Sequence, residues 1–348
     1  MNTILVTGGA GFIGSHTCLM LLEQGFEVYV LDSYINSKPN SLKKVLAILN
    51  EKNVNCTNRI KIFKGDLRSI DCIRNVFSSA TKNETKINAV IHFAGLKSVE
   101  NSIKNPFNYW DSNVFSTFNL LRVMDENNCA TIVFSSSATV YGNVQKLASE
   151  KSYISPTNTY GTTKFVIENL LKDIFNSSPN KWKVANLRYF NPIGAHSSGL
   201  IGEDPKGLSN NIFPIINKVA LGMMNRLEIF GNNWPTIDGT GVRDYIHVMD
   251  LAEGHIRTLN FLFESEFKYI NLNIGTGIGT SVLELLRVFE RINKVEIPFI
   301  FSKKREGDVA EVIADISLLK KTLDWFPKKN IEEMCRDGFN WQVKSPHG

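Results

Sequence analysis

The segment VTGGAGFIGSH, Val6–His16, most constrains what this chain can fold into. An apolar run, TILV, enters it, and a helical pattern, FIGSHTCLMLLEQG, leaves it. Gly9, Gly11 and Gly14 fit G-x-G-x-x-G, and Gly8 adds a further permissive backbone position. A strand, a glycine turn and a helix N-terminus together let pyrophosphate oxygens reach backbone N–H groups, where any Cβ would obstruct. The second strand ends VYVLD, so Asp32 stands eighteen residues past Gly14. A carboxylate there accepts hydrogen bonds from an adenosine ribose and repels a 2′-phosphate. No arginine follows immediately to receive one, so the expected cofactor is NAD rather than NADP.

Five more runs follow the first strand: EVYVLD, IKIFKGD, NAVIHFAG, TIVFSSS and KVANLRYF. Each is apolar at nearly every position, which suits strands covered on both faces. Helical stretches lie between them. The alternation predicts an α/β fold, a Rossmann-like doubly wound parallel sheet with right-handed crossovers. After about Phe190 the rhythm breaks into Gly- and Pro-rich loops, NPIGAHSSGLIGEDPKG and GNNWPTIDGTG. Loops of this length usually carry function. A smaller, loop-rich C-terminal part is expected there.

The 348 residues are 43% hydrophobic and 21% charged, enough for a large buried core. The net charge of +5 comes from scattered Lys and Arg with no basic block, which argues against nucleic-acid and membrane partners. No leader pattern precedes the first strand and no apolar run reaches membrane-spanning length. Five cysteines, Cys18, Cys56, Cys72, Cys129 and Cys335, form no C-x-x-C pair, and reduced thiols in a cytoplasmic protein are expected. The histidines, His16, His92, His196, His247, His255 and His347, have no metal-ligand spacing, and no metal is expected.

Tyr160 and Lys164, in NTYGTTKF, lie four residues apart and share one face if the segment is helical. Y-x-x-x-K is weak alone, since about one chance match is expected in such a chain. Tyr34 with Lys38 is a second match, but it lies in a loop just before Pro39, where a regular helical turn is disfavoured. Ligands of open parallel sheets sit beyond the carboxyl ends of strands, so Ser136, Ser137 and Tyr160 are expected to converge there.

At this point the chain resembles the UDP-glucose 4-epimerase family of the extended short-chain dehydrogenase/reductase superfamily. The segments that carry the likeness are FAGLK (Phe93–Lys97), FSSSATVYG, LRYFNPIGAH (Leu187–His196), GEDPKG (Gly202–Gly207), DGTGVRDYIHVMDLA (Asp238–Ala252) and REGD (Arg305–Asp308). They span nearly the whole chain. The resemblance implies an NAD-binding domain over residues 1–191, joined by parts of 243–276, and a partly interleaved UDP-sugar domain over 192–348. It implies a homodimer, bound NAD, and reversible 4-epimerisation of UDP-galactose and UDP-glucose by transient oxidation at sugar C4. Tyr160 would act as the base. Ser137 would bridge it to the sugar hydroxyl, and Lys164 would lower its pKa and hold the nicotinamide ribose.

By the same likeness the cofactor would touch Gly8, Gly11, Phe12, Ile13, Gly14, Asp32, Asn36, Ser37, Asp66, Leu67, Phe93, Ala94, Gly95, Lys97, Asn113, Tyr160, Lys164 and Phe190. The UDP-sugar would touch Lys97, Ser137, Tyr160, Asn191, Asn211, Ile229, Phe230, Arg243, Arg305, Asp308 and Val312. Two guanidiniums on one pyrophosphate make physical sense, because each binds phosphate oxygens in bidentate fashion. The chemistry also fits in magnitude. A tyrosine of pKa about 10 needs roughly 4 kcal/mol to ionise near neutrality. A lysine at about 5 Å in an effective dielectric of about 20 supplies roughly 3 kcal/mol, and a positive nicotinamide ring would add more.

The likeness departs at Gly161, Thr162 and Thr163, where relatives often carry a Lys-Ser pair, and at Lys304, where a second arginine is common. Val312 stands where some members place a bulky tyrosine, so UDP-N-acetylhexosamines are expected to fit as well. A UDP-GlcNAc 4-epimerase is one alternative. A 4,6-dehydratase is another, but it needs an Asp-Glu pair where this chain has Ala138 and Thr139. A non-catalytic NAD-binding sensor would not need Ser137, Tyr160 and Lys164 together.

Overall fold

A computed structural model of the chain describes residues 1–54, 56–143, 147–206, 211–305 and 308–345. The strands of the first half are β1 (Thr3–Thr7), β2 (Glu27–Asp32), β3 (Ile60–Lys64), β4 (Ile87–His92), β5 (Thr131–Ser137), β6 (Leu147–Ala148), β7 (Lys183–Tyr189) and β8 (Asn191–Ile193). Those of the second half are β9 (Leu227–Phe230), β10 (Val242–His247), β11 (Lys268–Ile274), β12 (Gly279–Ser281), β13 (Phe299–Ser302) and β14 (Glu311–Ala314).

The main sheet runs in the order β11-β7-β5-β4-β1-β2-β3 with every pair parallel. All six apolar runs of the sequence are in it. Alternate residues feed two cores. Ile4 and Val6 of β1 join one cluster and Leu5 joins the other, each fully buried. Burying each such side chain contributes about 1.5–3 kcal/mol. The chain leaves β1 toward β2 and β3, then crosses back to place β4 on the other side of β1. The carboxyl ends of β1 and β4 therefore flank a topological switch point, where such sheets bind ligands.

A second sheet runs β12-β10-β14-β6, with β8 also paired to β10. Through β6 the chain after β5 pairs with β14 in parallel, Ile313 opposite Leu147, so the two halves interleave. A small parallel pair, β9 with β13, lies apart from both sheets. Its Leu227 and Ile229 pack with Phe213, Phe289 and Met334 in a third core. Among the described residues no helix is long and apolar enough to cross a membrane.

Candidate active site

The glycine turn after β1 is built for close approach. Gly8 has φ +70°, and a Cβ there would come within 2.8 Å of the Ala94 nitrogen. A Cβ on Gly14 would come within 2.3 Å of the Gly8 carbonyl oxygen. Only glycine lets this turn fold tightly against β4 and the helix Phe12–Glu23, and the helix N-terminus then faces the cleft. Asp32, at the end of β2, anchors the turn: its carboxylate accepts from the Ala10 amide (2.9 Å), the Tyr34 amide (2.8 Å) and the Ser37 hydroxyl (2.8 Å). These residues fit a dinucleotide at the switch point. Tyr34 has φ +57°, and no helical turn relates it to Lys38, whose ammonium instead pairs with Asp204.

One long cleft crosses the switch point. Gly8, Gly11, Phe12, Ile13, Gly14, Asp32, Asn36, Ser37, Asp66, Leu67, Phe93, Ala94, Gly95, Lys97 and Phe190 line it at the expected cofactor end and wall. Arg68 grips the Asp66 carboxylate and holds it below the usual carboxylate range. Asn113 does not line the cleft. It is buried in a turn of π-helix (Trp110–Phe115), where its carboxamide accepts from the Leu96 amide (2.7 Å) and donates to the Leu96 carbonyl (3.1 Å) and Thr163 (3.1 Å). Its amide is consumed in bracing the wall from behind.

The helix Thr159–Ser177 carries Tyr160 and Lys164, both lining the cleft. Asn158 caps it, accepting from the Gly161 amide at 2.9 Å. The Lys164 ammonium donates to the Ser135 carbonyl at 2.6 Å and lies 5.8 Å from the centre of the Tyr160 ring. The three consecutive serines of β5 part ways. Ser135 and Ser137 face the cleft, whereas the Ser136 hydroxyl donates to Glu168 at 2.5 Å behind it. Ser136 therefore does not join the site, because strand alternation turns it to the other face.

The electrostatics correct one expectation. Burial pushes the Tyr160 phenol up to about 12, although a hydrogen bond with Ser137 pulls the other way. Burial also pulls Lys164 down to about 7, opposed by the negative charge of Glu168. A Coulomb attraction of the expected size needs a full ammonium charge, and desolvation takes much of that charge away near neutrality. These side chains alone do not make the phenol acidic.

At the other end of the cleft stand Asn191, Asn211, Arg243, Asp308 and Val312. Val312 lies opposite Arg243 in the β10–β14 pairing. Ile229, Phe230 and Arg305 do not line the cleft. Ile229 is buried in the third core, and the Arg305 guanidinium lies 3.7 Å over the Phe230 ring. Of the two arginines expected on one pyrophosphate, only Arg243 faces the cleft. Gly207, Glu306, Gly307 and His347 lie outside the described residues.

Cleft residues that the sequence did not single out include Tyr189, Glu203 and Asp204. Glu203 accepts from Lys97 (2.8 Å) and Asn211 (2.9 Å), tying the wall to the opposite rim. The GEDPKG segment was the available signal for it. Tyr189 bonds to His255, whose other nitrogen is occupied by the Leu251 carbonyl at 2.7 Å. His92 sits between Thr7 (2.7 Å) and Thr117 (2.8 Å). Burial holds both imidazoles neutral, His92 near about 3 and His255 near about 4.

The chain matches the family described as GDP-mannose 4,6 dehydratase over residues 5–338. It is 47% identical to UDP-glucose 4-epimerase 2 of Arabidopsis thaliana, covering 100% of this chain and 97% of that one. It is 44% identical to the UDP-glucose 4-epimerase of Bacillus subtilis, covering 99% and 98%. The crystal structure of UDP-glucose 4-epimerase from Bifidobacterium longum in complex with NAD+ and UDP superposes with a TM-score of 0.92, at 42% identity and full coverage of both chains. Similarity of this extent in sequence and fold, together with the glycine turn, Tyr160 and Lys164 on one cleft, leads to one conclusion: the chain belongs to the UDP-glucose 4-epimerase family.

Proposed function

We propose that this protein interconverts UDP-galactose and UDP-glucose by inverting sugar C4, with Tyr160 as the base. One observation carries the reading: Tyr160, Lys164 and Ser137 meet in the same cleft as the glycine turn. The cradle fits NAD, which when bound supplies the hydride acceptor for C4 and a positive ring beside the phenol. Gly8, Gly11 and Gly14 give it backbone approach, and Asp32 holds the loop around its ribose. Tyr160 as phenolate takes the proton of the sugar 4-hydroxyl. Lys164 stabilises the phenolate only through the part of its population that stays protonated, and the positive ring supplies the rest. The 4-ketose left when C4 gives its hydride to that acceptor would take the hydride back on its opposite face while Tyr160 returns the proton, with no net redox.

Asn191, Asn211, Arg243 and Asp308 are the proposed contacts of the UDP portion. Valine at 312 leaves room at the sugar, and on that basis UDP-N-acetylhexosamines are proposed as further substrates. The dehydratase reading is disfavoured by Ala138 and Thr139, which supply neither the acid nor the base of an elimination.

A homodimer is supported by the exposure of four large apolar side chains, Ile103, Phe107, Phe115 and Phe118, on consecutive helical segments. A cytoplasmic location is supported by the five cysteines, all free. The division into an NAD-binding unit and a UDP-sugar unit follows the two larger sheets, with β11 returning to the first. Tyr160→Phe tests the base: turnover is expected to fall by about 10²–10⁴-fold with UDP binding retained. A near-normal rate would remove the assignment.

A further inference from the structure

The hydroxyl of Ser137 is already spoken for on its accepting side. The Thr139 amide donates to its oxygen at 3.2 Å and the Thr139 hydroxyl at 2.9 Å. A serine hydroxyl offers one donor and two acceptor lone pairs. With both lone pairs engaged, the one remaining valence of Ser137 is its proton, and Tyr160, which lines the same cleft and whose phenol Ser137 makes more acidic, is the partner open to it. Thr139 is itself well fixed. It lies in the single turn Ala138–Tyr141, and a Cβ on Gly161 would come within 2.8 Å of the Thr139 carbonyl. The turn is thus pressed against the first turn of the helix that carries Tyr160.

We infer that Thr139 is a positioning residue that commits Ser137 to donate to Tyr160, so that the sugar hydroxyl passes its proton to the phenolate directly rather than through Ser137. The inference rests on Tyr160 being the base. Bond by bond, the O–H of the sugar hydroxyl breaks and the O–H of Tyr160 forms, while the Ser137 proton stays on Ser137. A bridging serine would have to accept from the sugar and would need a lone pair that Thr139 occupies. A serine held as donor stabilises the ionised phenol over the neutral one, because only the ionised form accepts without competing to donate.

The other groups facing Tyr160 are Lys164 and, beyond it, Glu168 on its own helix, Tyr109 from the helix Pro106–Tyr109, and Tyr189 from β7. His92 on β4 faces Lys164. None of these changes when the Thr139 hydroxyl is removed.

The test compares Thr139→Val, Thr139→Ser and Tyr160→Phe in the NAD-loaded protein. The pH profile of kcat is read alongside the phenolate absorbance titration, with Tyr160→Phe as the blank. Thr139→Val should move the acid limb and the Tyr160 titration up together by about one pH unit, the scale of one hydrogen bond. Thr139→Ser should restore both. If Tyr160→Phe is inactive yet Thr139→Val leaves limb and titration at their wild-type pH, the inference is overturned and the base assignment survives. If Thr139→Ser shifts as far as Thr139→Val, packing rather than the hydroxyl is responsible and the inference also fails. Near-normal turnover by Tyr160→Phe instead overturns the base itself.

Discussion

Glu168 and Arg188 form a bidentate ion pair behind β5, 2.6 Å and 3.0 Å between paired atoms, with each side chain 3% exposed. Arg188 also donates to the Tyr141 hydroxyl at 3.0 Å, and Tyr141 donates to Asn273 at 2.6 Å. The pair therefore joins the helix of Tyr160 to β7 and, through Tyr141, to β11. Breaking one partner of a buried pair leaves the other charge uncompensated. Glu168→Gln is expected to destabilise the protein by about 3–5 kcal/mol, read by chemical denaturation. A loss below about 1 kcal/mol, the range of exposed pairs, would mean that the pair is solvated.

Lys164 sets a pH dependence with a definite sign. Its folded value, about 7, lies below the ordinary lysine value of 10.5. Between those two values the unfolded chain binds the extra proton, so stability rises with pH across that window. The slope for a single group is at most about 1.4 kcal/mol per pH unit. Lys164→Met should flatten the rise in cofactor-free protein, measured by denaturation at pH 7, 8.5 and 10. Equal slopes in both proteins would contradict the burial of the ammonium.

The segment Leu200–Lys206 is strapped across the cleft. Asp204 pairs with Lys38 (2.8 Å), Glu203 with Lys97 (2.8 Å), and Lys206 donates to the Tyr34 carbonyl (2.5 Å). Each link reaches the expected cofactor side. Removing two partly exposed pairs at up to about 1 kcal/mol each gives the scale of the effect. Glu203→Gln with Asp204→Asn should speed NAD release about 5–20-fold, followed by the loss of bound cofactor on dilution. An unchanged release rate would show that the strap bears no load.

Val312→Tyr should abolish turnover of UDP-N-acetylgalactosamine and leave that of UDP-galactose within about threefold, since the added ring occupies space only the acetamido group needs. Parallel rates on the two substrates measure it. Equal loss on both would place Val312 elsewhere than against the sugar.

Local chemistry was the legible part of this molecule. The glycine turn, Asp32 and the six apolar runs each state their structure within a dozen residues, because backbone approach and two-sided burial leave direct marks in sequence. β11 left no such mark. In KYINLNI polar residues interrupt the apolar ones, and they are tolerated because distant partners satisfy them: Asn271 accepts from Asn186, and the buried Asn273 accepts from Tyr141 and donates to the Ala148 carbonyl. The positions of Ile229, Phe230 and Arg305 depend on the pairing of β9 with β13, some seventy residues away. The electrostatics of Tyr160 were illegible for the same reason. Spacing gives the distance to Lys164, but burial of both groups is set by β4, β5 and β7 closing around them.

The product formed from UDP-galactose by NAD-loaded protein, with free cofactor removed, tests C4 inversion by a retained cofactor. UDP-glucose at equilibrium, with no accumulating reduced cofactor, is the expected result. A 4-keto-6-deoxy sugar, or no product from protein shown to hold NAD, would contradict it.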